Sequence, residues 1–349
     1  MRSVAIFQRD LSVGGIQRSL LNLLSVIDKS SYDIDLFLFS EPQICSRNEL
    51  KDVNLYVLKP LFYLNRVVDI RILSSLCRYD LPKKHYDVAI DFSSYSNECA
   101  VCVRQVSADK KILWVHNDLK LEFEESLKYR MLFRAFRKKY NYYSKFVAVS
   151  EGVVAPFCEM TGVKPSDVCV IPNVIDTETI FRKSQEEEAI EPDTSKLNFV
   201  FVGRLVHQKG VDILLNEFKR AYEKRKDIHL YVIGDGPERS ALERQAESLY
   251  INNAVTFTGY RVNPYPLIAK MDALVLTSRH EGQGIVLLEG KALSLQVIFP
   301  EHLQKYCPYL PAVSDVAQAM IDTQRQVKCL DDLSDYNEKI KSSLYKLLG

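Results

Sequence analysis

Two stretches of this chain alternate short apolar runs with amphipathic segments of helical period, and that alternation leaves few folds open. In the first half the apolar runs are Val4–Phe7, Ile34–Phe39, Leu55–Leu58, Val88–Phe92, Ile112–Val115, Phe146–Val149 and Val168–Ile171, with helical stretches such as Ile16–Ile27 between several of them. Short, largely apolar strands separated by helices predict a parallel sheet covered by helices. The pattern then breaks. Residues 182–197 are polar, acidic and proline-bearing with no periodicity, which predicts a linker or exposed loop. It restarts with strands at Phe199–Val202, Leu230–Ile233, Val255–Thr258, Leu274–Thr277 and Val297–Phe299 and helices at Gly210–Lys224, Arg239–Leu249, Tyr265–Lys270 and Ile285–Leu293.

The expected fold class is therefore α/β, with two doubly wound, Rossmann-like parallel-sheet domains and an interdomain cleft at the carboxyl ends of the strands, where open α/β sheets bind ligands. With 349 residues there is room for two domains of ordinary size. The expected boundaries are 1–178 for the first domain, 179–196 for the linker and 197–329 for the second. In the remaining 330–349, Leu330–Leu348 predicts an amphipathic helix that packs back on the first domain.

Composition removes several classes of function. The net charge of +1 offers no global field for nucleic acid. No apolar run approaches the ~18 residues of a membrane span. The first residues enter a strand, Ser3–Phe7, without a signal-peptide core, so a cytoplasmic protein is expected. The cysteines, at positions 45, 77, 99, 102, 158, 169, 307 and 329, are scattered and expected to be reduced and structural. Cys99 and Cys102 form a lone Cys-x-x-Cys with no partner pair at zinc-ligand spacing, which argues against a metal or redox centre.

The stretch Ser278–Glu289, Ser-Arg-His-Glu-Gly-Gln-Gly-Ile-Val-Leu-Leu-Glu, carries the most chemistry. A buried strand ends, glycines allow a tight turn, and a helix begins near Ile285. The first helical amides point outward and the helix dipole favours an anion there. Glu281 is expected at the mouth. Glu289, about two turns into the helix, is expected to face back over the same pocket, and carboxylates accept hydrogen bonds from sugar and ribose hydroxyls. A phosphorylated sugar fits, although two glutamates eight apart also occur by chance.

Other motifs sit at strand ends. Gly14 and Gly15 lie between the first strand and its helix, where they either let a ligand approach the backbone or make an ordinary turn. His116 closes another strand and is either a sugar-contacting or proton-transferring group or a satisfied structural histidine. Asn117 and Asp118 after it are candidate acceptor-binding residues. Gly203-Arg204 and Lys209 frame a short turn before a helix and suit a pyrophosphate, or are solvated charges. Gly234-Asp235-Gly236-Pro237 is a sharp turn, and Tyr260 ends a strand beside Gly259.

Together these residues resemble the GT4-type family of retaining glycosyltransferases with the GT-B fold. The resemblance rests on Gly14-Gly15, Val202-Gly203-Arg204 with Lys209-Gly210, Gly234-Asp235-Gly236-Pro237, Phe257-Thr258-Gly259, and Ser278-x-x-Glu281-Gly-x-Gly284-x-x-x-x-Glu289, in order and spacing across most of the chain. It implies that Arg204 and Lys209 hold the donor diphosphate and that Glu289 binds the ribose. Glu281 and the amides of Gln283, Gly284 and Ile285 would meet the donor sugar and its phosphate. Gly15 would approach the phosphate, His116 would touch the sugar near the reacting carbon, and Tyr260 would flank the base. Relatives continue beyond Glu289 with a Gly-x-Pro turn and a later Gly-Gly. Here Leu293-Ser-Leu-Gln-Val-Ile-Phe-Pro-Glu-His302 stands instead, so no contact from that loop, and no sugar identity, carries over.

The implied reaction moves a sugar from a nucleoside diphosphate, UDP by family frequency, to a hydroxyl of a glycan or lipid-linked acceptor, as in bacterial surface polysaccharide assembly. Arg204, Lys209 and the helix N-terminus would stabilise the leaving group in place of a metal. Asp33-Ile-Asp35 spells a metal-site triplet but lies where a strand begins, so no metal and no prosthetic group are expected. The resemblance favours same-face attack, with a donor phosphate oxygen taking the acceptor proton. Residues 128–145 are basic and aromatic without an acid, and Arg134, Arg137, Lys138 and Lys139 would face an anionic membrane if Leu127, Met131, Phe133 or Leu132, and Phe136 share one apolar helix face. A helix with its apolar face on the sheet is the alternative. Competing functions are a nucleotide-sugar epimerase, a phosphorylase, or a catalytically silent scaffold for a partner transferase.

Overall fold

The computed structural model describes residues 1–12, 14–42, 50–60, 69–94, 96–125, 127–327 and 333–349. Cys45, Cys329 and residues 330–332 at the start of the expected terminal helix lie outside them. The chain forms two compact units, Met1–Val174 with Asp335–Gly349, and Ile175–Ser334.

In the first unit the strands are β1 (Arg2–Phe7), β2 (Tyr32–Leu38), β3 (Asn54–Val57), β4 (His85–Asp91), β5 (Ser107–Val115), β6 (Lys145–Ala148) and β7 (Val168–Val170). Its helices are α1 (Gly15–Val26), α2 (Ile70–Leu76), α3 (Asn97–Gln105), α4 (Leu119–Glu125), α5 (Leu127–Phe136) and α6 (Glu151–Thr161). The strands form one parallel sheet in the order β3-β2-β1-β4-β5-β6-β7. The order reverses between β1 and β4, so the loops after these two strands diverge and leave room at the sheet's carboxyl edge.

The second unit holds α7 (Thr177–Ser184), β8 (Leu197–Val202), α8 (Val211–Lys224), β9 (Ile228–Ile233), α9 (Arg239–Ser248), β10 (Val255–Gly259), α10 (Tyr265–Ile268), β11 (Ala273–Val275), α11 (Ile285–Ala292), β12 (Gln296–Ile298) and α12 (Val316–Asp322). Its parallel sheet has the order β10-β9-β8-β11-β12, with the reversal between β8 and β11. Phe199, Val200 and Phe201 of β8 and Ala273, Leu274 and Val275 of β11 are all fully buried, as expected of strands covered on both faces. The architecture is the expected one, two Rossmann-like parallel sheets.

The last helix, α13 (Ser334–Leu348), returns to the first unit. Ile340, Leu344 and Leu348, four apart, share one face and join the core formed by α1, β1 and β2. Burying each contributes about 2 kcal/mol. Tyr345 adds a stack on Tyr32 at 5.9 Å, and its hydroxyl donates to Val26 O. The acidic stretch 185–196 is largely exposed but is tied to the second unit. Glu188 accepts both bonds from Arg261, Glu191 pairs with Lys270, and Glu186 accepts from Asn263.

Asp35 is inside β2 and fully buried, where Tyr86 donates to it at 2.6 Å, Asn54 at 2.9 Å, and Lys84 pairs with it at 2.9 Å. Its carboxylate is thus engaged in holding strands together. Cys99 and Cys102 are buried in α3, and burial pushes both thiols up, as for structural cysteines.

Among the described residues no helix is long and apolar enough to cross a membrane. The basic stretch departs from its expected geometry. Phe133 and Phe136 turn inward, while Leu127 and Met131 are exposed. Positions 127 and 131 lie on a different helical face from 133 and 136, so one apolar stripe cannot hold all four. Lys139 is not on the surface: it is fully buried and donates from Nζ to Ser94 O at 2.5 Å. Asp91, which accepts from Tyr143 at 2.6 Å, supplies the opposing charge. Burial pulls Lys139 down to about 8 and pushes Asp91 up to about 6. A basic run in sequence marked one internal cation among external ones, and only the fold distinguishes them.

Candidate donor-binding site

The reversal between β8 and β11 brings their following loops side by side. Thr277 Oγ1 donates to Gly210 O at 2.9 Å, and the Arg279 amide donates to Gln208 O at 2.8 Å. The Arg279 guanidinium clasps Asp212 with two bonds of 2.8 and 2.7 Å and donates to His207 O at 2.7 Å. Hydrogen bonding from Arg279 holds the Asp212 carboxyl below its ordinary range. This charged, two-pronged link fixes the β8 loop against the β11 loop.

Between the loops sits an ion pair. Lys209 Nζ lies 2.6 Å from Glu281 Oε1, and Ser278 Oγ donates to the same oxygen at 2.6 Å. The Glu281 side chain is 8% exposed and that of Lys209 21%, so the cation retains a path to solvent. Arg204 is exposed on the same β8 loop, and no contact holds its side chain among the described residues. Gln283, Gly284 and Ile285 lead into α11, whose N-cap is Gly284, with φ 68° and no capping side chain. Cationic side chains and an uncapped helix N-terminus therefore occupy one end of this sheet, an arrangement that favours an anion.

Gly203 and Gly234 are structural partners in this site. Gly234 has φ 142°, and a Cβ there would lie 1.9 Å from Gly203 O. Only glycine allows the β9 turn to run against the β8 loop. The turn also binds that loop, through the Leu205 amide to Asp235 O at 2.9 Å. Glu289 is the fifth residue of α11, one turn in and not two, and accepts from Tyr265 Oη at 2.8 Å. Tyr260 follows β10, two strands from β8, and is half exposed.

The first unit's candidates stand at its own reversal and beside it. Gly14 precedes α1, and the space where Gly15 would carry a Cβ is open. His116 is buried, with Nε2 2.9 Å from Phe92 O. A carbonyl only accepts, so Nε2 carries the proton. Burial pulls the imidazole down to about 3, so it is neutral near pH 7 and its Nδ1 is an acceptor. Asp118, a candidate acceptor-binding residue, has a local role: its Oδ1 accepts from the amides of Lys120 at 3.0 Å and Leu121 at 3.2 Å, capping α4. Asn117 beside it is half-buried.

Ser278, Arg279, Asp212 and Tyr265 were not foreseen. Ser278 orients Glu281 from within its own loop, whereas the Arg279–Asp212 and Tyr265–Glu289 contacts depend on which loops and helices the fold sets side by side, which local sequence does not carry. Ser278 alone had a signal, its place three residues before Glu281.

Two family models divide the chain between them. Glycosyltransferase Family 4 matches residues 13–179, and Glycosyl transferases group 1 matches residues 182–302. With the GT-B architecture already described, the chain belongs to the GT4-type GT-B glycosyltransferases. It is 25% identical over 302 residues to an uncharacterized glycosyltransferase of Methanocaldococcus jannaschii, covering 83% of this chain and 74% of that protein. It is 24% identical over 320 residues to the N-acetylgalactosamine-N,N'-diacetylbacillosaminyl-diphospho-undecaprenol 4-alpha-N-acetylgalactosaminyltransferase of Campylobacter jejuni, covering 86% of this chain and 81% of the relative. Among solved structures, Anabaena HepE in complex with UDP and glucose superposes with a TM-score of 0.69 at 15% identity, over 99% of this chain and 100% of that one.

Proposed function

We propose that this glycosyltransferase transfers a sugar, with retention of configuration, from a UDP-sugar to a hydroxyl of a glycan or lipid-linked acceptor in polysaccharide or glycoconjugate assembly. The observation that carries the reading is the Lys209–Glu281 pair beside the uncapped N-terminus of α11, with Arg204 exposed on the adjoining loop. The cations and helix amides meet the charge that develops on the leaving diphosphate, so the reaction needs no metal. Glu281 accepts from the donor sugar's hydroxyls, Glu289 from the ribose, and Tyr260 flanks the base. In the first unit Gly14 and Gly15 let backbone approach an anion, and His116 Nδ1 accepts from a sugar hydroxyl. The acceptor attacks on the face the diphosphate leaves, and a phosphate oxygen takes its proton. UDP in the Anabaena structure and the diphospho-undecaprenol acceptor named for the Campylobacter relative support these choices.

The acceptor reading also favours work at the cytoplasmic face of an anionic membrane. Arg130, Arg134, Arg137 and Lys138, with Leu127 and Met131, form the surface that would meet it. Calorimetric titration with UDP, GDP, ADP and TDP, each with and without chelator, tests the central claim. UDP binding that survives chelator and is lost in Arg204→Ala and Glu289→Ala is the expected outcome. Binding of none of the four moves the assignment to a silent scaffold.

A further inference from the structure

The loop that follows β12 closes on itself and packs against the loop that carries Glu281. Pro300 bridges to Val313, and the Val313 amide donates to Phe299 O at 2.9 Å. Gln304 stitches the interior: its Nε2 donates to Cys307 O at 3.1 Å and Leu310 O at 2.8 Å, and its Oε1 accepts from the Ala312 amide at 2.8 Å. Leu303, Tyr306 and Cys307 are buried.

From this base two donors reach the loop that carries Glu281. His302 Nε2 lies 2.8 Å from Ser278 O, and Cys307 Sγ lies 2.8 Å from Gln283 O. Both targets are backbone carbonyls, so the imidazole nitrogen and the thiol must donate. Burial pushes the Cys307 thiol up to about 12, which keeps its proton in place. The sulfur also lies 2.7 Å from the position a Gly284 Cβ would take, so thiol and glycine are fitted to each other.

The bond to Gln283 O has a geometric consequence. The peptide bonds of the described chain are trans, and in a trans peptide the C=O of one residue and the N–H of the next point in opposite directions. A Gln283 carbonyl held on Cys307 turns the Gly284 N–H away from the buried thiol. Loss of that bond removes one restraint on a peptide that adjoins a glycine at φ 68°, where glycine crosses between backbone regions at little cost. We infer that Cys307 is a positioning residue that locks the Gln283–Gly284 peptide with its amide presented to the phosphate groups of the donor. The inference rests on the donor-site reading above and adds to it the group that keeps the anion-binding amide in register.

Calorimetry of the full chain with inorganic pyrophosphate, joined to hydrogen exchange of a peptide spanning residues 276–288, tests it. Cys307→Ala should weaken pyrophosphate binding about fivefold, the effect of one hydrogen bond, with the number of sites unchanged. It should also speed exchange in that peptide. Cys307→Ser, which keeps a donor, should restore both. Equal binding in Cys307→Ala and wild type overturns the inference. So does a fall in the number of sites at unchanged Kd, which would mark a merely structural cysteine, or failure of serine to rescue. A wild type that does not bind pyrophosphate overturns it too. Pyrophosphate binding with no nucleotide binding refutes the nucleotide-sugar reading alone.

Discussion

Glu281→Gln is expected to tighten UDP binding while slowing sugar transfer. Glu281 Oε1 lies 2.6 Å from Lys209 Nζ, so a diphosphate on the open side of that ammonium would come within about 5 Å of the carboxylate. Two like unit charges at that separation repel by about 3 kcal/mol at an effective dielectric near 20. Lys209 is one-fifth exposed, and solvent screening reduces this to about 1–2 kcal/mol, equivalent to about tenfold in Kd. Glutamine removes the charge but keeps an oxygen to accept from Lys209 and Ser278, so the cation stays in place. Transfer from a UDP-sugar should fall about 100-fold, because a neutral amide is a weaker acceptor for the sugar's hydroxyls as charge moves in the transition state. Calorimetry with UDP and steady-state turnover with the UDP-sugar check the two halves. The reasoning is refuted if Glu281→Gln, with an unchanged thermal midpoint, binds UDP more weakly. The carboxylate would then serve to hold Lys209 and would not compete with the phosphates.

Four further outcomes follow from the fold. Gly234→Ala places a Cβ 1.9 Å from Gly203 O at φ 142°, and should cost about 2–4 kcal/mol in denaturant unfolding of the second unit. His116 is pulled from 6.5 to about 3, so the unfolded chain binds the extra proton between these values and stability falls as pH drops below 6.5. At pH 5 this amounts to about 2 kcal/mol, and His116→Gln should flatten the acid side of a pH–stability curve by that amount. Charge reversal at Arg134, Arg137 and Lys138 should abolish sedimentation with anionic liposomes without changing the melting temperature. Lys139→Glu, by contrast, should unfold the first unit because it sets a second carboxyl beside buried Asp91.

The central strands were legible because a strand buried on both faces must be apolar along its length, as Val4–Phe7 and Leu230–Ile233 are. Glu281, Lys209 and Gly284 were legible because a strand, a glycine turn and a helix follow one another without interruption. What the sequence could not express was which strand lies beside which. The order β9-β8-β11 sets Lys209 against Glu281 across 72 residues and makes Arg279 a clasp for Asp212. Nor could it tell the inward cation from the outward ones: Lys138 and Lys139 are adjacent letters, and only helix phase and the position of Asp91 send one to solvent and the other into the core. Asp118 became a cap because α4 starts directly after it. Periodicity is a local property fixed by which faces are buried, so the chain itself determines its elements. Partnership between distant side chains depends on the packing order of those elements, and that is decided only when the sheets assemble.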